Sequence, residues 1–203
     1  NENNFPLLEK KLPDLCADRI DYTLRDMIVY GGRNKMIDVY LSSFIVKNNE
    51  IIIKNGPAAR SFAEYYLKAD ECLWSNPLEV ALYQILADAI KIAIRERIIL
   101  KKDLFQDDDF VYDMLKKSKN KEILERLGML NPNIRIIEDS NDYHFCTKNK
   151  LRYINPKFLD EDGSIKRVSE IYPRFKERLK KHREKIGKLY IFLDRQDRCP
   201  QGL

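Results

Sequence analysis

Residues 12–26 limit what this chain can fold into more than any other segment, because their spacing predicts a helix with two unlike faces. Leu12-Pro13 predicts the start of the helix, since proline suits the first helical turn. Asp18, Tyr22 and Arg25 lie at i, i+4 and i+7 and therefore share one face. The opposite face is expected to be buried. It carries Cys16, Ile20, Thr23, Leu24 and Met27.

The polar face of this helix combines groups that suit a metal ion and a phosphate ester. A carboxylate such as that of Asp18 is a hard ligand for metal cations. Arginine and tyrosine one turn away suit a phosphate and a sugar or base. The same spacing is also typical of an amphipathic helix with a solvated charged face. Charge spacing alone therefore leaves both interpretations open.

The residue types around Asp18 add a more specific signal. Ala17-Asp18-Arg19-Ile20-Asp21-Tyr22, followed by Arg25-Asp26, resembles the last motif of HD-domain phosphohydrolases. The likeness is to the branch of the deoxynucleoside triphosphate triphosphohydrolases and their bacterial relatives. The resemblance implies a mainly α fold, of which this chain would be the C-terminal part of an HD-domain-like helical body with a β-hairpin.

The resemblance also implies a role for each polar residue of the motif. Asp18 matches the fourth ligand of a divalent metal ion and is the predicted catalytic residue. Arg19 matches a basic residue that faces the phosphates, and Tyr22 and Asp26 match residues that line the nucleoside pocket. Arg25 is the remaining predicted substrate-binding residue of this helix.

The other metal ligands of that family are a histidine and a His-Asp pair, which lie upstream of the motif. This chain has two histidines, His144 and His182, and neither is followed by aspartate. We therefore expect the remaining ligands to come from an upstream segment of the same protein or from another chain. The 203 residues alone are expected to be inactive.

Later parts of the chain continue the resemblance more weakly and depart from it in places. Arg152-Tyr153-Ile154-Asn155-Pro156 resembles a basic Arg-Tyr-x-(Asp/Asn)-Pro segment of the family. Where the family has an arginine that contacts phosphate, the nearest basic residue is Lys68, and the acids Asp70 and Glu71 follow it. Asn76 stands in place of an expected tyrosine. The implied substrate is a nucleoside triphosphate or a related phosphate ester.

Composition excludes some classes of protein. Hydrophobic residues make up 44% and charged residues 34% of the chain, and the net charge is +5. This mild positive excess suits an anionic substrate as well as a polymer. The four cysteines are scattered without a Cys-x-x-Cys pair, which favours buried free thiols in a reducing compartment over a zinc knuckle. No apolar run approaches the roughly 20 residues of a membrane span. We expect a cytoplasmic protein without a membrane partner.

Hydrophobic periodicity predicts the elements that follow the motif helix. That helix is expected to end near Gly31, and residues 37–54 favour a β-hairpin, although 36–43 fits a helix equally well. Further helices are predicted at 57–75, 78–97 and 121–127. The acidic run Asp107-Asp108-Asp109 is expected to cap the start of another helix.

Composition shifts after residue 133. Strands are predicted at 134–137, 150–154 and 188–194, with a very basic helix at 169–185. The predicted domains are therefore 1–130, the C-terminal part of an HD-type helical body, and 131–203, a small appended α+β unit.

The basic helix leaves two interpretations open. The residues expected to form its buried seam are Ile171, Phe175, Leu179 and Ile186. Its cations then form either a solvated face or an anion-binding surface. The rival function is a non-catalytic regulatory or oligomerisation module, which binds nucleotide or nucleic acid through this helix. Family members have regulatory nucleotide sites at subunit contacts, so the resemblance also implies a homo-oligomer.

Overall fold

The protein, seen in a computed structural model, is described over residues 5–31, 35–131, 134–148, 150–185 and 188–194. It is mainly helical, which confirms the predicted fold class. Eight α-helices lie within these ranges: α1 Ala17–Gly31, α2 Lys35–Ser43, α3 Gly56–Ala69, α4 Pro77–Arg95, α5 Asp108–Lys117, α6 Lys121–Gly128, α7 Val168–Ile171 and α8 Pro173–Glu184. A π-helical turn, Asp70–Trp74, continues α3, and a 3-10 turn lies at Lys101–Phe105.

The strands are short and form two sheets. Within the same ranges they are β1 Phe44–Lys47, β2 Glu50–Ile53, β3 Arg135–Glu138, β4 Phe145–Lys148, β5 Lys157–Leu159, β6 Ile165–Arg167 and β7 Lys188–Asp194. The first sheet has the order β1-β2-β5-β6, in which β2 and β5 are parallel and the other neighbours are antiparallel. The second is antiparallel, with β7 between β3 and β4.

Packing divides the chain into two compact units. The first comprises Asn1–Ser75 with Lys150–Ile186, and the second comprises Asn76–Asn149 with Gly187–Leu203. The boundaries between these two units follow Ser75, Asn149 and Ile186, not residue 130. The domains 1–130 and 131–203 stay a prediction.

Helix α3 is the centre of the first unit. Asn55 accepts a hydrogen bond from the backbone N–H of Ala58 at 2.9 Å and so caps the helix, as the sequence around Gly56-Pro57 indicated. The predicted apolar face is buried, with Phe62 and Tyr66 fully enclosed. The side chains of β2, β5 and α8 complete this core.

Helix α1 begins later than the sequence predicted. It starts at Ala17, not at Pro13, because a turn precedes it in which the Asp14 N–H donates to the Lys11 carbonyl. The buried face is largely confirmed: Cys16, Thr23, Leu24 and Met27 are buried, and Ile20 is partly buried.

The predicted hairpin is shorter than expected. Residues 37–43 belong to α2, so the strand prediction there is wrong and the helical alternative is right. Ile37 and Tyr40, three residues apart, are both buried, which fits a helical period rather than a strand. Phe44–Lys47 and Glu50–Ile53 form the hairpin around Asn48 and Asn49, which both have positive φ.

The second unit has its own core, where α4 packs with α5 and α6. Ala89, Ala93, Leu115 and Ile123 are buried there. Asp107 accepts from the Phe110 N–H at 2.8 Å, which confirms that the acidic run caps α5. The helix predicted at 121–127 is confirmed as α6, and the strand predicted at 188–194 is confirmed as β7.

Two predictions for the C-terminal part are wrong. Residues 150–154 form no regular element, because tertiary hydrogen bonds hold this segment in place of a strand ladder. The single basic helix at 169–185 is two helices, because Pro173 lacks an N–H and disfavours helical geometry at Tyr172. Phe175 and Leu179 are buried as predicted, whereas Ile171 is 42% exposed. Ile186, the last residue of the predicted seam, lies outside the residues that the structure describes.

Cysteine environments differ from the expected set of buried thiols. Cys16 is buried, but Cys72 and Cys146 are exposed, and Cys199 lies outside the described residues. In the described part of the chain, no helix is long and apolar enough to cross a membrane.

Candidate functional site

Asp18 lies in the first turn of α1 with its side chain exposed. The backbone N–H groups of Ala17 and Asp18 donate to the carbonyls of Leu7 and Leu8, at 2.8 and 3.2 Å. Two amides at the start of the helix are therefore satisfied by the preceding segment, and the carboxylate is not needed as a cap. No hydrogen bond or ion pair from the described residues engages the Asp18 carboxylate, so it is available to a ligand.

Arg19 turns toward the segment before the helix. Its guanidinium donates to the Asp14 carbonyl at 3.2 Å, to Cys16 Sγ at 3.0 Å and to Glu9 Oε1 at 3.2 Å. Only 12% of the side chain is exposed. These bonds use most of one edge of the guanidinium, so Arg19 holds the entry to α1. Its predicted contact with phosphate stays a prediction.

Three aromatic side chains from different elements meet beside Asp18. We call Tyr22 of α1, Tyr66 of α3 and Trp74 of the π-helical turn the aromatic cluster. Ring centroids are 5.0 Å apart for Tyr22 and Trp74 and 4.9 Å apart for Tyr66 and Trp74. Both pairs are edge-to-face, a favoured arrangement for aromatic rings. The two tyrosine hydroxyls are hydrogen-bonded to each other.

The tyrosines of the cluster are held in the protonated form. Burial raises the pKa of Tyr22, and the hydrogen bond from Tyr66 and the charges of Arg19 and Arg152 oppose that effect only in part. Burial, together with the hydrogen bond to Tyr22, also raises the pKa of Tyr66. Both phenols therefore carry a proton at neutral pH. Their mutual hydrogen bond uses one of the two hydroxyl protons, so the other proton is not engaged by the pair.

Asp26 fixes the orientation of the indole. Its Oδ2 accepts from Trp74 Nε1 at 2.6 Å. Asp26 lies one turn beyond Tyr22 on α1, so the two residues share a face of the helix. A hydrogen bond to an ionised carboxylate is stronger than one between neutral groups. Tyr22 and Asp26 therefore both contact the Trp74 indole from α1, and Asp18 lies one turn before Tyr22 on the same helix.

Arg152 is a second cation of this region beside Arg19, and the sequence analysis did not assign it to the site. Its guanidinium carbon lies 5.9 Å from the centre of the Trp74 ring, and Nη1 donates to the Trp74 carbonyl at 3.3 Å. The side chain is 36% exposed. Arg152 is the first residue of the Arg-Tyr-x-Asn-Pro segment that resembles the family, and this resemblance was the sequence signal that could have placed Arg152 at the site.

Arg25 lies on a different flank of α1. It forms an ion pair with Asp21, and both side chains are mostly exposed. They border an open groove of about 650 Å³. The groove is lined mainly by apolar residues of α1, α2, β1 and β2: Ile20, Leu24, Ile28, Ile37, Leu41, Phe44, Ile45, Val46 and Ile51. The predicted substrate contact of Arg25 stays a prediction.

Lys68 also points away from the aromatic cluster. It is exposed on α3 two residues after the buried Tyr66, and residues two apart lie about 200° apart around a helix. Its predicted role at the phosphates stays a prediction. Arg152 is better placed than Lys68, because its guanidinium lies against Trp74 of the aromatic cluster.

Metal ligation by this chain would involve few side chains. Across the described ranges, no group of three or more His, Cys, Asp or Glu side chains is placed to hold a metal ion. The arrangement around Asp18 therefore offers a carboxylate, a phenol and a guanidinium to a ligand, but not a full set of metal ligands.

Two curated proteins show similarity in sequence. The uncharacterized protein YdhJ of Bacillus subtilis is 39% identical over 167 residues, which cover 82% of this chain and 51% of that protein. The metal-dependent phosphohydrolase cns2 of Cordyceps militaris is 26% identical over 163 residues, which cover 76% of this chain and 47% of that protein. The chain thus spans about half the length of each relative. No family model matches it.

A solved structure shares the fold. The crystal structure of a phosphohydrolase from Bacteroides thetaiotaomicron matches with a TM-score of 0.55 and 17% sequence identity. The match covers 89% of this chain and 61% of that chain. Nearly the whole chain therefore follows the path of a longer phosphohydrolase chain.

Proposed function

We propose that this chain is part of a metal-dependent phosphohydrolase of the HD type, acting on a nucleoside triphosphate or a related phosphate ester. The observation that carries the proposal is the exposed carboxylate of Asp18, unpaired among the described residues, beside Tyr22 in the motif that resembles the family. The relative named as a metal-dependent phosphohydrolase and the shared fold support it. The triphosphohydrolase branch rests on the motif alone.

A divalent metal ion is the proposed cofactor. When bound, such an ion polarises a phosphoryl oxygen and activates a water molecule. Asp18 fits as one ligand because its carboxylate is exposed and engaged by none of the described side chains. Since a divalent metal site needs several ligands, the others would come from a further segment of the protein or from another chain.

The chain's own residues would bind and orient the phosphate ester. Arg152 carries the positive charge that neutralises phosphate oxygens, as a partly exposed guanidinium fixed against Trp74. Tyr66 is fully buried, so only the half-buried Tyr22 can reach a ligand. Tyr66 therefore donates to Tyr22, and Tyr22 donates its proton to a ligand oxygen. Asp26 acts on the site through Trp74, whose indole it holds.

Part of the basic C-terminal region has a structural explanation. Arg178 and Lys185 pair with Glu71, at 3.1 and 3.3 Å, and so attach α8 to the π-helical turn. These two cations are not free for a polyanion. The rival regulatory module therefore gains no support from them.

Replacing Asp18 tests the proposal in the protein that carries the remaining ligands. We expect Asp18→Ala to abolish metal-dependent release of phosphate from nucleoside triphosphates, because a metal ligand is lost, while the exposed position leaves the fold intact. Asp21→Ala is the matched control, since Asp21 is an exposed acid of the same helix that pairs with Arg25. Full activity of Asp18→Ala would remove Asp18 from the mechanism. Robust hydrolysis by the 203-residue chain alone would show that the proposed ligand set is wrong.

A further inference from the structure

His182 is a buried titratable group that the proposed mechanism does not use. It lies in the most basic part of the sequence, yet its side chain is only 1% exposed and faces the first unit's interior. Its Nε2 is 2.9 Å from Asp70 Oδ2 and 3.2 Å from the Arg152 carbonyl. Its Nδ1 is 3.4 Å from Glu71 Oε1. Both ring nitrogens therefore face oxygen atoms that accept hydrogen bonds.

This arrangement suits the charged imidazolium best, because both ring nitrogens face acceptors. A neutral histidine has one N–H, so one ring nitrogen would direct a lone pair at an acceptor. Burial lowers the pKa of His182, but the hydrogen bond and charge of Asp70, aided by Glu71 and the Arg152 carbonyl, outweigh it. The net effect raises the pKa above the ordinary 6.5.

We propose that His182 is a positioning residue: its imidazolium neutralises Asp70 and thereby leaves the Arg152 guanidinium available to an anionic ligand. The inference rests on the proposed function, because it concerns the cation of that site. It predicts that anion binding weakens as the pH rises and His182 loses its proton.

The charges around Asp70 carry the argument. Asp70 is fully buried, and its Oδ1 has no hydrogen-bond partner among the described residues. Ser75 Oγ lies 3.2 Å from Oδ2, and Arg152 Nη1 lies 3.9 Å from Oδ1. A buried carboxylate without a positive partner is strongly unfavourable. When His182 is neutral, Arg152 is the nearest cation that can replace it.

The other charged groups packed against His182 do not fill that role. Glu71, the second acid of the π-helical turn, is shared with Arg178 and Lys185 of α8. Burial opposes the shift, but these two cations lower the pKa of Glu71, so it stays ionised. They face Glu71 rather than Asp70. The cation that neutralises the Asp70 carboxylate is therefore either His182 or Arg152.

Trp74 provides the readout. It is the single tryptophan of the chain and contacts the Arg152 guanidinium, so its fluorescence reports on that cation. We would titrate the 203-residue chain with inorganic tripolyphosphate between pH 5.5 and 9 and follow Trp74 emission. The affinity of the wild type is expected to fall on the order of tenfold across this range, within the usual size of coupling between sites.

Three variants separate the causes. His182→Gln should lose most of the pH dependence of the tripolyphosphate affinity, once the part that comes from the ionisation of tripolyphosphate itself has been subtracted. Arg152→Gln should bind weakly at every pH. Lys180→Gln, the matched control, removes an exposed cation of α8 and should behave like the wild type. An unchanged pH dependence in a folded His182→Gln protein would overturn the inference.

A second measurement does not depend on any variant folding. The chain has two histidines, so NMR can follow the ring of His182 directly. We expect its midpoint above pH 6.5, and a ring that is already neutral at pH 6 would overturn the inference. Failure of the proposed function looks different. If the wild type binds no tripolyphosphate, yet Trp74 emission shows a pH transition that His182→Gln removes, the positioning role stands without the anion site.

Discussion

Among the glycines that the structure describes, Gly56 is the one where an added methyl group would meet neighbouring atoms. It is the buried first residue of α3, the helix that carries Tyr66. A Cβ built there would lie 2.6 Å from Tyr172 Oη and 3.1 Å from Phe158 Cε2. Ordinary contacts between such atoms are about 3.5–4.0 Å. Gly56→Ala therefore forces the hydroxyl end of the Tyr172 side chain to move.

The expected magnitude follows from two opposing effects. Overpacking a well-filled core typically costs about 1–3 kcal/mol. The better helix propensity of alanine returns at most about 1 kcal/mol, and less at a helix end. We expect a net loss of about 1–2 kcal/mol in the free energy of unfolding, which for a chain of this length lowers Tm by roughly 3–6 °C.

Urea denaturation followed by Trp74 fluorescence measures this loss. Tyr172→Phe removes the nearest atom, so the double variant Gly56→Ala/Tyr172→Phe should recover much of the stability. Gly128→Ala is the matched control, because a Cβ at that end of α6 meets nothing within 4 Å. The reasoning is refuted if Gly56→Ala is as stable as the wild type, or if Tyr172→Phe gives no recovery in its background.

Three further predictions concern charges. Lys10 and Lys157 hold the pKa of Glu50 at about 2. The stability that this carboxylate provides is therefore present above pH 4.5 and is lost as the pH falls toward 2. Glu50→Gln should cost about 1 kcal/mol in the free energy of unfolding at pH 7 and much less near pH 2, as measured by urea denaturation. Asp107→Ala should cost about 1 kcal/mol by removing the cap of α5, which amide exchange at that helix start would detect. Lys180→Gln combined with Lys181→Gln should leave the free energy of unfolding unchanged, as measured by urea denaturation, because both side chains are exposed.

The sequence pattern correctly predicted the elements that are stabilised by interactions within a few residues. The cap at Asn55 and the apolar period of α3 were visible in the sequence, because capping and side-chain burial act within a few residues. The strand predicted at 150–154 failed for the opposite reason. The segment is held by distant partners: the Asn155 N–H donates to the Pro13 carbonyl at 2.9 Å, and the Asn155 side chain bonds Ser169 at 2.7 Å. No periodicity records such contacts.

The residues of the candidate site likewise divide into those that the sequence could place and those that only the folded chain brings together. The motif on α1 could be found because Asp18, Tyr22 and Asp26 follow one another at intervals of one helical turn. Tyr66, Trp74 and Arg152 come from other segments, and only folding brings them to that helix. Arg25 and Lys68 stay predictions, since Arg25 pairs with Asp21 beside the apolar groove and Lys68 is exposed on α3.

The basic C-terminal helix shows why charge composition alone was ambiguous. Its cations suggested a polyanion surface, yet His182, Arg178 and Lys185 all face the two acids of the π-helical turn. That turn ends in Trp74, and the carbonyl of Arg152 lies against the same histidine. Helix α8 therefore packs against the turn that carries the indole and against the backbone of Arg152. Substitution of His182 or Arg178 should consequently change anion affinity at a site that the helix does not line, whereas substitution of the exposed Lys180 should not, and neither a solvated face nor a nucleic-acid surface predicts that difference.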